Sequence, residues 1–227
     1  MNLSLAEDGV EIIEDVYSPE ELDRILSAIE SAGIENKFGI REFLIRNSKI
    51  AQLVFTQGLV RLIDKISPGC FVSIKSIYFD KPPHSNWVVN WHQDLTINLE
   101  NRAEAKGYKN WRETKDRVVV QPDRDLLDDI FTIRIHLDDC TQENGALRVI
   151  RHSHLSGVIE LSEWLKHKEG EEIICTVNKG GVVIMKPLIL HASKRTENLK
   201  KRRVIHIEFT SRSLPHDLRW KEKIEFR

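Results

Sequence analysis

The sequence holds two His-x-Asp pairs, His92-Gln93-Asp94 and His136-Leu137-Asp138, and two His-x-Glu pairs, His167/Glu169 and His206/Glu208. Nine histidines and 14 aspartates in 227 residues give about 0.6 His-x-Asp pairs by chance, so one pair alone decides nothing. The chemistry such a pair offers is metal binding. In an extended chain, residues i and i+2 project to the same side, presenting an imidazole and a carboxylate to one ion. A second imidazole from elsewhere would complete the two-histidine, one-carboxylate face that holds non-haem Fe(II), with adjacent positions left for a bidentate 2-oxo acid and dioxygen.

His191 is the candidate for that second imidazole. It lies near the end of the run Met185-Lys186-Pro187-Leu188-Ile189-Leu190-His191-Ala192-Ser193, a short apolar strand reaching a polar turn, 97 positions after Asp94 and 53 after Asp138. Arg202 follows His191 by 11 positions. On the next strand its planar guanidinium could pair with the distal carboxylate of 2-oxoglutarate. Arg203 is adjacent, and strand alternation lets only one of the two point inward; the spacing favours Arg202. In the second His-x-Asp pair, Ile133, Ile135 and Leu137 occupy one face and Arg134, His136 and Asp138 the other. We read that polar set as hydrogen-bonded support behind the site or as a solvent face.

These residues need elements to hold them. Ser18-Pro19-Glu20-Glu21 has the form of a capping box with Pro at the first helical position, followed by an apolar face of Leu22, Ile25, Leu26 and Ile29 and a Gly33 able to end the helix in a left-handed conformation. A second helix is expected from about Ser48 to Lys65, weakened in its middle by Gly58. From Phe71 onward the apolar stretches are short, β-branched or aromatic. Expected strands are 71–79, 87–91, 131–137, 146–150, 172–177, 181–186 and 204–210. Helices first and strands later, with no regular alternation, disfavour a doubly wound parallel sheet and favour an antiparallel sandwich or barrel. Between Glu100 and Asp129, 15 of 30 residues are charged, a length uncommon for a plain strand connection and expected of a lid.

The motifs occur together in a telling order. Trp91-His92-Gln93-Asp94-Leu95, then Asn144-Gly145-Ala146-Leu147-Arg148-Val149-Ile150 ending in Ser153-His154, then His191-Ala192-Ser193 with Arg202, resemble the phytanoyl-CoA dioxygenase family of Fe(II)/2-oxoglutarate oxygenases. The opening Gly9-Val10-Glu11-Ile12-Ile13 and the Ser18-Pro19 helix are similar too. The resemblance implies a mostly β fold: a double-stranded β-helix (jelly-roll) core flanked by α-helices, with residues 1–66 as a helical buttress and 100–129 as the charged lid of one domain spanning 1–227. It implies His92, Asp94 and His191 as catalytic iron ligands, Arg202 and Ser193 as 2-oxoglutarate contacts, and Arg134 as a further cosubstrate contact. The reaction implied is hydroxylation of a small organic substrate by O2, with 2-oxoglutarate converted to succinate and CO2. Asp94 argues against halogenation, because related halogenases carry a small residue there. The chain departs from the family in having Arg151-His152 where Pro-Gly usually precedes the Ser-x-His segment. Trp87, Asn90, Trp111 and Arg151 are the candidate substrate contacts. Two other readings stand beside this one: a catalytically idle jelly-roll that binds or senses a metabolite, and a metal cupin-type enzyme that uses no oxo acid.

Composition bounds the rest. The formal charge is −1, with 41% hydrophobic and 30% charged residues, so no global basic field points to nucleic acid. No apolar run approaches the roughly 20 residues of a membrane span. Three separated cysteines, Cys70, Cys140 and Cys175, form no CxxC pair and fit a reducing compartment. With five acids and no basic residue in the first 16 positions, no signal or transit peptide is expected, and the cytoplasm follows. The partner expected is a small molecule, anionic or polar. The basic run Lys194, Arg195, Lys200, Lys201, Arg202 and Arg203 hints at the anionic option.

Overall fold

The computed structural model describes residues 3–34, 39–69, 71–81, 88–164, 169–198 and 200–225. The fold is mostly β, an antiparallel jelly roll with N-terminal helices packed on one face. Its largest sheet runs in the order Val10–Ile13, Val182–Met185, Phe131–His136, Arg202–Thr210, Val72–Lys81 and Ile224–Glu225, with Ile40–Arg41 also pairing with Val72–Lys81. A second sheet runs Glu172–Cys175, Leu147–Ile150, His191–Ser193 and Val89–His92. A third joins Ile97–Leu99, Val118–Gln121 and Lys109–Glu113.

The period-two pattern of the large sheet divides its two faces. Ile133, Ile135, Ile205, Ile207 and Phe209 point outward onto Leu22, Ile25, Ile29, Leu44, Leu59 and Ile63 of the helices. Each such buried aliphatic side chain stabilises the fold by about 1.5–3 kcal/mol relative to exposure. The opposite face, with Arg134, Arg202, His206 and Glu208, borders a cavity. Leu147, Val149, Cys175, Val183 and Met185 fill the space between the two main sheets elsewhere.

The helix at Pro19–Ser31 has its complete capping box, and Gly33 adopts φ +62° just beyond its end. The second expected helix is instead two, Ser48–Val54 and Gln57–Ile66. The break falls at Phe55-Thr56, where the Thr56 hydroxyl accepts from the Leu59 N–H at 3.3 Å and starts a new helix. Gly58 therefore sits in a first turn, where an added Cβ would lie 3.1 Å from the Val16 carbonyl oxygen.

Two further expectations are corrected. Residues 1–66 are not purely helical, since Val10–Ile13 forms the edge strand of the large sheet against Val182–Met185. The 100–129 segment, expected as a charged insertion or lid, has secondary structure of its own. Its Lys109–Glu113 and Val118–Gln121 strands pair with each other, and Leu99, Val118, Val120, Leu126 and Ile130 share an apolar cluster beneath them. The β-branched Val118-Val119-Val120 run supplies enough burial to order a segment whose average composition looks solvated. No helix among the described residues is long and apolar enough to cross a membrane.

Candidate active site

His92 ends the Val89–His92 strand, and the antiparallel register sets it directly opposite His191, the first residue of its own strand. Strand pairing thus joins residues 99 positions apart in the chain. The two imidazole centroids are 4.1 Å apart. Asp94 lies just past its strand, and its N–H donates to the Pro187 carbonyl at 2.9 Å, tying it to the turn that leads into His191. Its two carboxylate oxygens lie 3.9 Å from His92 Nε2 and 3.6 Å from His191 Nε2.

The tautomers follow from the partners of the other ring nitrogens. His92 Nδ1 is 2.8 Å from the Asn90 carbonyl oxygen and His191 Nδ1 is 2.9 Å from that of Ile189. A carbonyl only accepts, so the proton belongs on Nδ1, and both Nε2 lone pairs are free beside the carboxylate. Burial would raise the Asp94 pKa, but His191, His206, Lys75 and His92 outweigh it and hold the carboxyl well below the usual range. Burial pushes His191 down to about 4, although Asp94 favours its charged form. A deprotonated Asp94 carboxylate and a neutral His191 imidazole are states a divalent metal requires.

Gln93 supports this pair of candidate ligands and carries no signal in the motif itself. Its Nε2 donates to the carbonyls of Gly157 at 2.8 Å and Leu188 at 2.5 Å, while its Oε1 accepts from the Ile159 N–H at 2.9 Å. The residue between His92 and Asp94 therefore locks their strand onto the segment that carries His191.

A second set of donors, Asp94, His206 and Glu208, also lies within ligating distance of itself. Two of these three are already satisfied by cations. Lys75 Nζ is 2.7 Å from Glu208, and Arg134 Nη1, which can only donate, is 3.1 Å from His206 Nδ1. Among the described residues, the donor set with free lone pairs is His92, Asp94 and His191. Strand alternation from Arg202 through residues 204, 206 and 208 was the available signal that His206 and Glu208 share the cavity face.

Deeper in the same cavity, of about 790 Å³, lie Arg134, Ser193, Arg202 and Leu147. Arg202 and Arg134 are buried, and the Nε of each has no hydrogen-bond partner among the described residues. Burial first, and then the charge of Arg202, lowers Arg134 to about 10 and Lys81 to about 8. The unpartnered Nε groups of Arg134 and Arg202 make this hollow suited to an anion. Arg203 points the other way and is bidentate to Asp138 at 2.9 and 2.6 Å.

Other expected contacts lie elsewhere. Asn90 and Trp111 do not line the cavity. Trp111 turns to the far side of its strand, stacking on Tyr108 with Arg102 over its ring. Arg151 is held outside by Asp8 at 2.6 Å and Glu171 at 2.9 Å. Trp87 lies outside the described residues. His136 is not hydrogen-bonded as expected: both ring nitrogens are buried without a partner among the described residues, and burial followed by the charges of Arg134 and Arg202 keeps the ring neutral.

Residues 5–204 match the model of the family described as phytanoyl-CoA dioxygenase (PhyH). The chain belongs to the phytanoyl-CoA dioxygenase family. A search of curated proteins found no match. Among solved structures, AviO1 from Streptomyces viridochromogenes Tue57 is similar at 19% identity and TM-score 0.68, covering 93% of each chain. The epimerase SnoN from nogalamycin biosynthesis, solved with Fe3+, alpha ketoglutarate and nogalamycin RO, is similar at 10% identity and TM-score 0.68, over 91% of this chain and 80% of that one. EctD from S. alaskensis, solved with 2-oxoglutarate and 5-hydroxyectoine, reaches TM-score 0.67 at 17% identity, over 91% of this chain and 73% of that one. At these identities the likenesses establish the jelly-roll fold of this PhyH-family chain.

Proposed function

We propose that this protein is an Fe(II)- and 2-oxoglutarate-dependent dioxygenase that hydroxylates a small organic substrate. The observation that carries the reading is the convergence of two Nδ1-protonated imidazoles and one deprotonated carboxylate on a point in a cavity that also presents the unpaired guanidinium donors of Arg202 and Arg134. His92, Asp94 and His191 would hold the metal. Arg202, Ser193 and Arg134 would receive the distal carboxylate of the cosubstrate. Iron with 2-oxoglutarate and O2 supplies the oxidising power, releasing succinate and CO2 while one oxygen atom enters the substrate.

The chain's own task is positioning and charge. Arg202, buried beside Arg134, neutralises a carboxylate where pairing is strong because water is scarce. The carbonyls of Asn90 and Ile189 fix the imidazole planes, and Gln93 fixes their strand. Cys140 and Cys175 are buried free thiols, in keeping with a cytoplasmic setting.

The decisive experiment is anaerobic addition of Fe(II) and 2-oxoglutarate, followed by exposure to O2. A visible charge-transfer band and succinate release are expected, both lost in Asp94→Ala. Metabolite binding without a band favours the idle module, and metal-dependent turnover that survives Arg202→Ala favours an enzyme using no oxo acid.

A further inference from the structure

The outer wall of the cavity carries positive charge that no described acid answers. Arg41 comes from the Ile40–Arg41 strand, Arg112 from the Lys109–Glu113 strand and Arg117 from the turn before Val118–Gln121, and all three line the same space as His92 and Asp94. The acids of that wall are otherwise engaged. Glu208 pairs with Lys75 at 2.7 Å, Glu113 reaches Arg102 at 3.6 Å, and Asp94 faces the two histidines. None of the three arginines has an ion-pair partner among the described residues. Arg117 goes further: its Nε is fully buried and has no hydrogen-bond partner among the described residues.

An exposed arginine surrounded by water needs no explanation. A guanidinium donor withdrawn from water and left unpaired costs about 1–3 kcal/mol or more, and the fold keeps it on a hairpin that is otherwise well fixed. Thr114 Oγ1 both accepts from the Arg117 N–H at 3.2 Å and donates to the Arg117 carbonyl at 2.9 Å, setting the turn. The Ile40–Arg41 strand and the 109–121 hairpin bring the exposed Arg41 and Arg112 beside the half-buried Arg117 on one concave surface, where a low-dielectric wall focuses their field. The cavity, at about 790 Å³, lies towards the large end of the ~300–1,000 Å³ common for small-molecule sites. It has room for a second ligand beyond one seated on Arg202.

We infer that Arg41, Arg112 and Arg117 form an anion subsite that holds a carboxylate or phosphate of the substrate, so that the substrate is an organic acid or phosphate ester anchored at the cavity's outer end with its reacting carbon towards His92, Asp94 and His191. This rests on reading the cavity as the oxygenase site. Planar guanidinium forks match both anions in bidentate geometry, and the same charges repel an amine. The basic run at 194–203 is not the source of this selectivity. Lys194, Arg195, Lys200 and Lys201 are exposed, and of the six basic residues only Arg202 lines the cavity.

The test uses the full chain loaded with Ni(II) and saturating 2-oxoglutarate, so that Arg202 is occupied and no turnover occurs. 4-Phenylbutyrate and 4-phenylbutyl phosphate are titrated against 4-phenylbutanol and 4-phenylbutylamine by calorimetry or ligand-observed NMR. The anions should bind at least tenfold more tightly than the alcohol, with affinity falling as salt rises, and the amine should bind weakest. Whichever anion is tighter identifies the carboxylate or phosphate as the natural group. Arg112→Gln and Arg117→Gln should each weaken the anions about tenfold and leave the alcohol unchanged, Arg117→Lys should retain part of the preference, and Arg61→Gln, outside the cavity, should change nothing. Anions binding no better than the alcohol, or an equal loss for both in the glutamine variants, would overturn the inference. Should the protein fail to bind 2-oxoglutarate with metal, the oxygenase reading fails alone. The same titrations on metal-free protein and on Arg202→Ala then read the anion subsite by itself.

Discussion

Gln93 offers a test of whether the proposed metal ligands are held by their neighbours or by the strand alone. Its side chain is 7% exposed and makes three hydrogen bonds to backbone groups of Gly157, Ile159 and Leu188. Gln93→Leu keeps the volume and removes all three, leaving one buried N–H and two buried carbonyls unanswered. At about 1 kcal/mol net per bond, the expected loss is about 3 kcal/mol of stability. Because Leu188 belongs to the turn before His191, the ligands also lose their mutual register, and metal affinity should fall about 10–100-fold, the usual effect of removing a group that orients ligands. Gln93→Glu is a sharper probe. It keeps an acceptor for the Ile159 N–H but sets a carboxylate oxygen against two carbonyls, so it should be at least as damaging at neutral pH and partly recover in mild acid, where a protonated carboxyl can donate once. Urea denaturation gives the stability, and anaerobic Fe(II) titration followed by the charge-transfer band gives the affinity. A Gln93→Leu protein within about 0.5 kcal/mol of the parent and within twofold in metal affinity would refute the clamp.

The two adjacent arginines should separate cleanly. Arg202→Ala is expected to lower 2-oxoglutarate affinity at least about 100-fold, since truncating one partner of a buried charge pair costs about 2–5 kcal/mol, whereas Arg203→Ala breaks only the contact with Asp138 and should leave that affinity unchanged in calorimetry. Glu222 is pushed up to about 7 by burial, against the hydrogen bonds from Ser76, with Glu42 and Glu208 adding to the rise. The folded state therefore prefers its protonated form: the stability it contributes is complete below its ordinary value of 4.5 and is lost as pH rises through about 7. Glu222→Gln should match the parent near pH 4.5 and exceed it by about 2–3 kcal/mol in urea denaturation at about pH 8. Gly145 has φ +79°, and a Cβ there would come within 2.6 Å of the Lys194 carbonyl oxygen, so Gly145→Ala should cost about 1–3 kcal/mol or more, read as a lowered Tm.

How much the sequence disclosed depends on the range of the interaction concerned. The Ser18 capping box is local, and the helix it starts was legible in four residues. The Thr56 break was not, because Thr-Gln-Gly-Leu reads equally well as mid-helix until the turn at Val16 is packed against it. The strands at 131–136 and 182–185 announced themselves by β-branched runs, while Val10–Ile13 is too short to be distinguished from a loop before Val182–Met185 pairs with it. Trp111 and Arg151 were misplaced for a similar reason. Residue type says that a side chain can bind a ligand, but the face of the strand and a distant Asp8 decide whether it meets one.

Side-chain types and local spacing settle the donor chemistry: His-x-Asp on extended chain, a later histidine beside a short strand, and an arginine 11 residues on. Those choices are fixed by side-chain type and by a two-residue period that no distant contact is needed to set. Tertiary structure alone decided which donors are available. It turned Arg203 onto Asp138 and Arg202 into the cavity, satisfied His206 and Glu208 with Arg134 and Lys75, and left His92, Asp94 and His191 with lone pairs facing one another. Only folding could do this, because the partner that consumes or spares each donor comes from a strand remote in the chain, and burial makes an unmatched charge or hydrogen bond costly enough to matter.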